Sequence, residues 1–161
     1  MRPHLLFKAC GSFALIVATL SGCGQSEATC APVVVEQLDS DNSHLLPGSM
    51  APDYLTDPPT SGPHVGGVRV TGIRNGPIGR VEQVSSLETG VVIVQYRSPL
   101  KDEATTQLST LPLQDVAIAP NDELPAPIVV TGWSVKMTCQ GVNRAAIEQF
   151  VNTYSAPVGQ H

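Results

Sequence analysis

Chemistry in this chain is concentrated around one proline-framed histidine. Pro58-Pro59-Thr60-Ser61-Gly62-Pro63-His64 places prolines at both ends of a short loop, with a glycine free to turn between them. Each proline holds φ near about −65°, and the hydroxyls of Thr60 and Ser61 can bond nearby backbone, so the loop should hold His64 with little conformational freedom. An imidazole fixed in this way can act as a base, a ligand or a hydrogen-bond partner. Ser61 lies three residues before His64, but no strand-Gly-x-Ser-x-Gly-helix elbow surrounds it and no third group is evident to orient the imidazole, so nucleophilic catalysis is not expected. Gly66-Gly67 does not open a helix and lacks a following Lys-Ser/Thr, so it is no phosphate loop.

The cysteines supply the remaining chemistry. Leu20-Ser21-Gly22-Cys23 follows a basic start (Arg2, Lys8) and an apolar stretch from Ala9 to Leu20. At about a dozen residues that stretch is shorter than the roughly 20 needed to cross a bilayer as a helix. Small residues directly before a cysteine look like a bacterial lipoprotein signal: residues 1–22 are removed and the Cys23 sulfur takes a diacylglycerol. The alternative is an ordinary secretory signal that leaves Cys23 a thiol. Several acyl chains, at about 0.8 kcal/mol per buried methylene, would make the anchor permanent. The expected address is extracytoplasmic, on the outer membrane or the outer face of the cytoplasmic membrane. Gly24 rather than Asp after the lipidated cysteine permits outer-membrane sorting.

Cys10 leaves with the signal, so Cys30 and Cys139 remain as two thiols in an oxidising compartment, where one disulfide is expected. Closing a loop of about 110 residues would stabilise the fold by roughly 4–5 kcal/mol in the chain-entropy model. The spacing does not suit a Cys-x-x-Cys redox pair, and two cysteines alone cannot build a structural zinc site.

Residues 23–32 form a short lipidated tether, and 33–161 should make one globular domain. Acidic side chains outnumber basic ones, 14 to 9, and loss of Arg2 and Lys8 sharpens the imbalance. Nucleic acid and anionic headgroups are therefore poor partners, and the remaining cations (Arg69, Arg74, Arg80, Arg97) are scattered singly.

Elements that could position the loop follow from periodicity. Leu38 to Pro63 is rich in Asp, Asn, Ser, Pro and Gly and reads as an ordered arm. Val68–Thr71 and Gly79–Val84 read as half-buried strands, and Val91–Tyr96, continuously apolar and β-branched, as the central strand. Ser98-Pro99 should open a helix to about Leu111, with Leu100, Ala104, Leu108 and Leu111 on one face. Val116–Ala119 and Ile128–Thr131 are further strands, the second continuing through Trp133, Val135 and Met137, with Trp133 a core aromatic. Asn143 caps a last helix with the stripe Ile147, Phe150, Val151 and Tyr154, which Pro157 ends; Val142 and Ile147 are placed as a hydrophobic staple. The expected class is α+β: an antiparallel or mixed sheet of about five strands, covered on one face by two helices.

The proline heptad, followed by Leu87-Glu88-Thr89-Gly90, Thr131-Gly132-Trp133-Ser134 and Cys139, resembles the bacterial family catalogued as domain of unknown function 3105, over roughly Ser43 to Pro157. Members of that family typically read His-Asn-Leu-Glu-His-Gly where this chain has Ser85-Ser86-Leu87-Glu88-Thr89-Gly90, so two histidines are replaced by Ser85 and Thr89. They also read Thr-Ala-Trp-Gly where it has Thr131-Gly132-Trp133-Ser134. Histidines and a glutamate near one strand end imply a zinc or copper site in the family. That site is depleted here. His44, His64 and Glu88 could still bind a metal, with Asp53 or Asp57 as a further oxygen ligand, but their spacing matches no recognised pattern. The alternative is that His64 bonds backbone at a turn while Glu88 serves an Arg or a helix start.

Two functional expectations stand side by side. The first is a noncatalytic envelope lipoprotein that requires no cofactor and binds an envelope protein or small ligand on the face formed by Tyr54–Gly67 and Leu87–Gly90. The second is an extracytoplasmic protein, or metal-dependent enzyme, that holds a divalent metal on His64 and Glu88.

Overall fold

The computed structural model describes residues 28–112 and 114–156. The signal segment 1–22, Cys23, the first part of the tether and Pro157 lie outside the described residues. Among those described, no helix is long and apolar enough to cross a membrane.

Nine elements follow in the order β1 (Val34–Val35), β2 (Gly72–Ile73), α1 (Arg80–Glu88), β3 (Val92–Tyr96), α2 (Asp102–Ser109), β4 (Val116–Pro120), β5 (Ile128–Gly132), β6 (Val135–Cys139) and α3 (Arg144–Tyr154). The strands form one open mixed sheet in the order β1-β6-β5-β3-β4-β2. The class is α+β as expected, with six strands rather than about five. β3 lies at the centre, parallel to β4 and antiparallel to β5, and its residues Val92, Ile93, Val94 and Gln95 are all buried. Both of its faces are covered, which is why it reads as an unbroken apolar run.

One face carries α2 and α3. Val92, Val94, Val116, Ile118, Ile128, Val130 and Met137 pack there against Leu108, Leu111, Ile147, Phe150 and Val151. Full burial of such a side chain stabilises by about 1.5–3 kcal/mol. Asn143 caps α3 by accepting the Ala146 N–H at 3.0 Å, and Val142 packs on the same cluster as Ile147. Leu100, Leu108 and Leu111 pack on this core, but only Leu108 lies on the helix, which starts later than Ser98-Pro99 suggested and ends before Leu111; Ala104 is half-buried and outside the cluster. Lys101 is its N-cap, and Asp102 and Glu103 fill the first turn, where carboxylates favour the helix dipole.

Three local expectations are corrected. Gly79–Val84 is not a strand: residues 80–88 form α1, which covers the opposite face of the sheet through Leu87 above Ile93, Ala117 and Ala119. The apolar positions Val81, Val84 and Leu87 recur every three residues, a helical spacing. The Glu82 carboxylate accepts the Gly79 N–H at 3.3 Å and closes the helix start. Val68–Thr71 gives way to the two-residue edge strand β2, paired with β4. Ile128 to Met137 is two strands, because the chain reverses at Trp133-Ser134, with Gly132 opposite Val135 and Ser134 at φ 57°. A tight hairpin preserves the alternation on both sides, so the periodicity reads straight through the turn.

Cys30 and Cys139 are joined in a disulfide across 109 residues, which fixes the N-terminal arm to the end of β6. From Leu38 to Pro63 the chain runs as an arm without named strands.

Candidate metal centre

The proline heptad is pinned on every side, and the whole of Pro58–His64 is buried. Ser61 Oγ accepts the Asp39 N–H at 2.9 Å, and the Ser134 N–H donates to the Thr60 carbonyl at 2.9 Å. Tyr54 donates its phenol hydrogen to the Pro63 carbonyl at 2.8 Å. Burial pushes that phenol up to about 12, against the lowering effect of Arg80, whose guanidinium sits 5.4 Å above the ring. Gly62 has φ 123°, and a Cβ there would lie 2.9 Å from the Tyr54 ring. Only glycine fits this turn.

α1 holds the next piece of backbone. Ser85, fully buried, accepts the Val65 N–H at 2.9 Å while donating to the Val81 carbonyl at 2.7 Å. Ser86 accepts the Val70 N–H at 2.9 Å. These serines fasten the loop to the helix. Thr89, at the C-cap, donates to the Ser86 carbonyl, and Arg69 donates to the Thr89 carbonyl at 2.7 Å while pairing with Asp115.

With the loop and α1 locked together, His64 faces Glu88. The arm brings in His44 by a parallel bridge to His64, in which the Leu45 N–H donates to the His64 carbonyl and the His64 N–H to the Ser43 carbonyl. Asp41, three residues upstream, has its carboxyl held below the usual range by hydrogen bonds from Ser43. His44 Nε2 is 3.9 Å from Glu88 Oε1, and His64 Nε2 is 3.2 Å from Glu88 Oε2. One donor atom from each of His44, His64 and Glu88 lies within 4.8 Å of the other two. The side chains grade from 67% exposed at His44 through 16% at Glu88 to 1% at His64.

The His64 ring fixes the electrostatics. Its Nδ1 is 2.9 Å from the Gly62 carbonyl, and because a carbonyl can only accept, Nδ1 carries a hydrogen. In the neutral ring, Nε2 then presents a lone pair to a carboxylate. Two acceptors would then face each other inside the protein, with Nε2 buried outside any hydrogen bond, whereas protonation of Nε2 would make the contact an ion pair. A buried group left in that state costs about 1–3 kcal/mol. A cation held between the two atoms would remove the conflict.

The separation of His64 and Glu88 suits a bound metal as well as a direct ion pair. Tetrahedral zinc, at about 2.0–2.1 Å from each ligand, sets neighbouring ligand atoms about 3.3–3.4 Å apart and does not sit on the line between them. His64 and Glu88 are near that separation without being aligned as a hydrogen bond, while His44 stands farther off, at 3.9 Å from Glu88. The Gly62 carbonyl is the kind of backbone partner that fixes the tautomer of a ligating histidine.

Asp53 and Asp57, expected as further oxygen ligands, are not part of the cluster; both are exposed, and Asp57 faces Arg80 at 3.9 Å. Ser61 and His64 do not form a nucleophilic pair, since Ser61 Oγ serves the Asp39 amide and both His64 nitrogens are otherwise directed. Trp133 was missed as a site residue. Half-buried on the β5–β6 turn, it meets His64 edge to face at 5.8 Å, and only the unforeseen hairpin puts it there.

No curated protein and no solved structure matches the chain. A family model does match, over residues 49–160, a span that takes in the heptad, His64, Glu88 and Trp133 but begins after His44. By that match the chain belongs to the family described as protein of unknown function (DUF3105).

Proposed function

We propose that the protein is an extracytoplasmic, lipid-tethered domain that binds one divalent transition metal on His44, His64 and Glu88. The observation that carries this reading is the buried Nε2 of His64, outside any hydrogen bond yet held 3.2 Å from Glu88 Oε2, with its tautomer fixed from the other side. Imidazole nitrogens with one carboxylate suit zinc or copper(II). The lipoprotein-like run ending at Cys23 and the oxidised Cys30–Cys139 pair support the extracytoplasmic address. Burial of the heptad favours this reading over a loop displayed to a partner.

The test is metal content by mass spectrometry on the full chain in detergent, without a histidine tag, before and after titration with zinc or copper. One equivalent is expected in the wild type and none in His64→Ala, with near-ultraviolet circular dichroism checking that the variant is folded. A wild-type chain that takes up neither ion rules the reading out.

A further inference from the structure

The three ligands differ in how firmly they are held, and this bears on what the bound metal can do. His64 is enclosed and oriented by the Gly62 carbonyl. Glu88 ends a helix that is itself bonded to the loop through Ser85 and Ser86. His44 sits on the arm with its side chain 67% exposed, its ring lying over Gly66, where an added Cβ would come 3.4 Å from Cε1. Structural zinc sites are closed by four protein ligands, whereas a site with three keeps a position for an outside donor. Among the described residues this cluster offers three. The free position therefore opens on the side of His44, where solvent already reaches. With one carboxylate against two positive charges, the loaded centre carries a net charge of about +1 and attracts an electron-rich donor.

We propose that the loaded centre accepts a fourth donor from another molecule at the His44 edge, so that the domain passes its metal on by ligand exchange rather than keeping it as a structural ion. This rests on the metal reading of the site. In the exchange step a lone pair on the incoming nitrogen or oxygen donor forms a bond to the metal and the metal–Nε2 bond of His44 breaks. No electron is transferred, and His44 returns to solvent as a neutral imidazole. His64 and Glu88 hold the ion until a second donor arrives. The acceptor is then a molecule that presents at least two nitrogen or oxygen donors together.

The test uses the full chain in detergent, without a histidine tag and loaded with zinc, mixed with an excess of the colorimetric chelator 4-(2-pyridylazo)resorcinol. Metal content measured before mixing tells the two readings apart: absence of bound zinc at that stage defeats the site itself and the inference with it. With zinc bound, the transfer rate is expected to rise in proportion to chelator concentration. Even loss of an outer-shell partner weakens metal sites by about 10–100-fold, so His44→Ala is expected to retain zinc on the other two ligands and release it at least about tenfold faster. A wild-type rate that is the same at every chelator concentration, or a His44→Ala chain that releases zinc no faster, overturns the proposal while leaving the metal site standing.

Discussion

The two faces of the sheet are built on different principles. Under α2 and α3 the contacts are aliphatic and aromatic, with Ile147, Phe150 and Val151 at 0–2% exposure against β-branched strand residues. Under α1 the protein buries Gln83, Ser85, Ser86, Gln95, Thr60, Ser61 and His64. There Gln95 donates to the Gln83 side chain and accepts from Asn121, while Gln83 donates to the Ile78 carbonyl. Apolar packing is nondirectional and supplies most of the stability. Buried hydrogen bonds add little net energy but fix positions, because each misplacement leaves a group unsatisfied. The α2–α3 face carries the larger apolar core, and the α1 face joins a smaller one, Leu87 on Ile93, Ala117 and Ala119, to the hydrogen bonds that hold His64 and Glu88 where they are.

The largest effect should come from breaking the apolar face alone. Phe150→Ala empties a site at 2% exposure in the main core, and such truncations cost about 3–5 kcal/mol. Chemical denaturation should show that loss, while zinc stoichiometry below the unfolding transition should be unchanged. A variant that lost its metal while still folded would mean that the two faces are not separable.

A smaller loss, reversed in kind, is expected on the polar face. Ser85→Ala leaves the Val65 N–H without its acceptor, a cost of about 1–3 kcal/mol. Val65 follows His64 directly, so this variant should weaken zinc affinity by more than its modest loss of stability would suggest. Isothermal titration and denaturant midpoints on the same preparation decide the matter. Unchanged affinity would show that Ser85 fastens the loop without positioning the ligand.

The same contrast explains what could be read in the sequence. The α3 stripe, Leu108 of α2 and the β3 run are apolar signals with regular spacing, and the structure buries them as expected, β3 on both of its faces. The first half of α1, Gly79–Val84, reads as a strand from its alternation, and nothing apolar marks the helix beyond it because its buried face is largely serine and glutamine. His44, His64 and Glu88 could be named as a set only through the family resemblance, since 20 or more residues separate each from the next and their meeting depends on a bridge and hydrogen bonds that no local pattern encodes. Asp53 and Asp57 lie nearer to His64 in sequence than His44 does, yet neither joins the cluster.

The smallest predicted effect sharpens the comparison through pH. Tyr54 belongs to the polar face, and its buried phenol is pushed up to about 12 from an ordinary 10.0. Because the folded state holds this proton more tightly, its contribution is fully present below about pH 10 and is lost as the pH rises through about 12. Tyr54→Phe removes the titration along with the bond to the Pro63 carbonyl, at a pH-independent cost of about 0.5–1.5 kcal/mol. Denaturant midpoints measured from pH 9 upward should therefore fall more steeply in the wild type than in the variant, so that the gap between them narrows. Tyr96 and Tyr154 are common to both chains and cancel in the comparison. Parallel curves would mean that Tyr54 acts on the loop only through its ring, packed where Gly62 leaves room, and that its hydroxyl is not part of what holds His64.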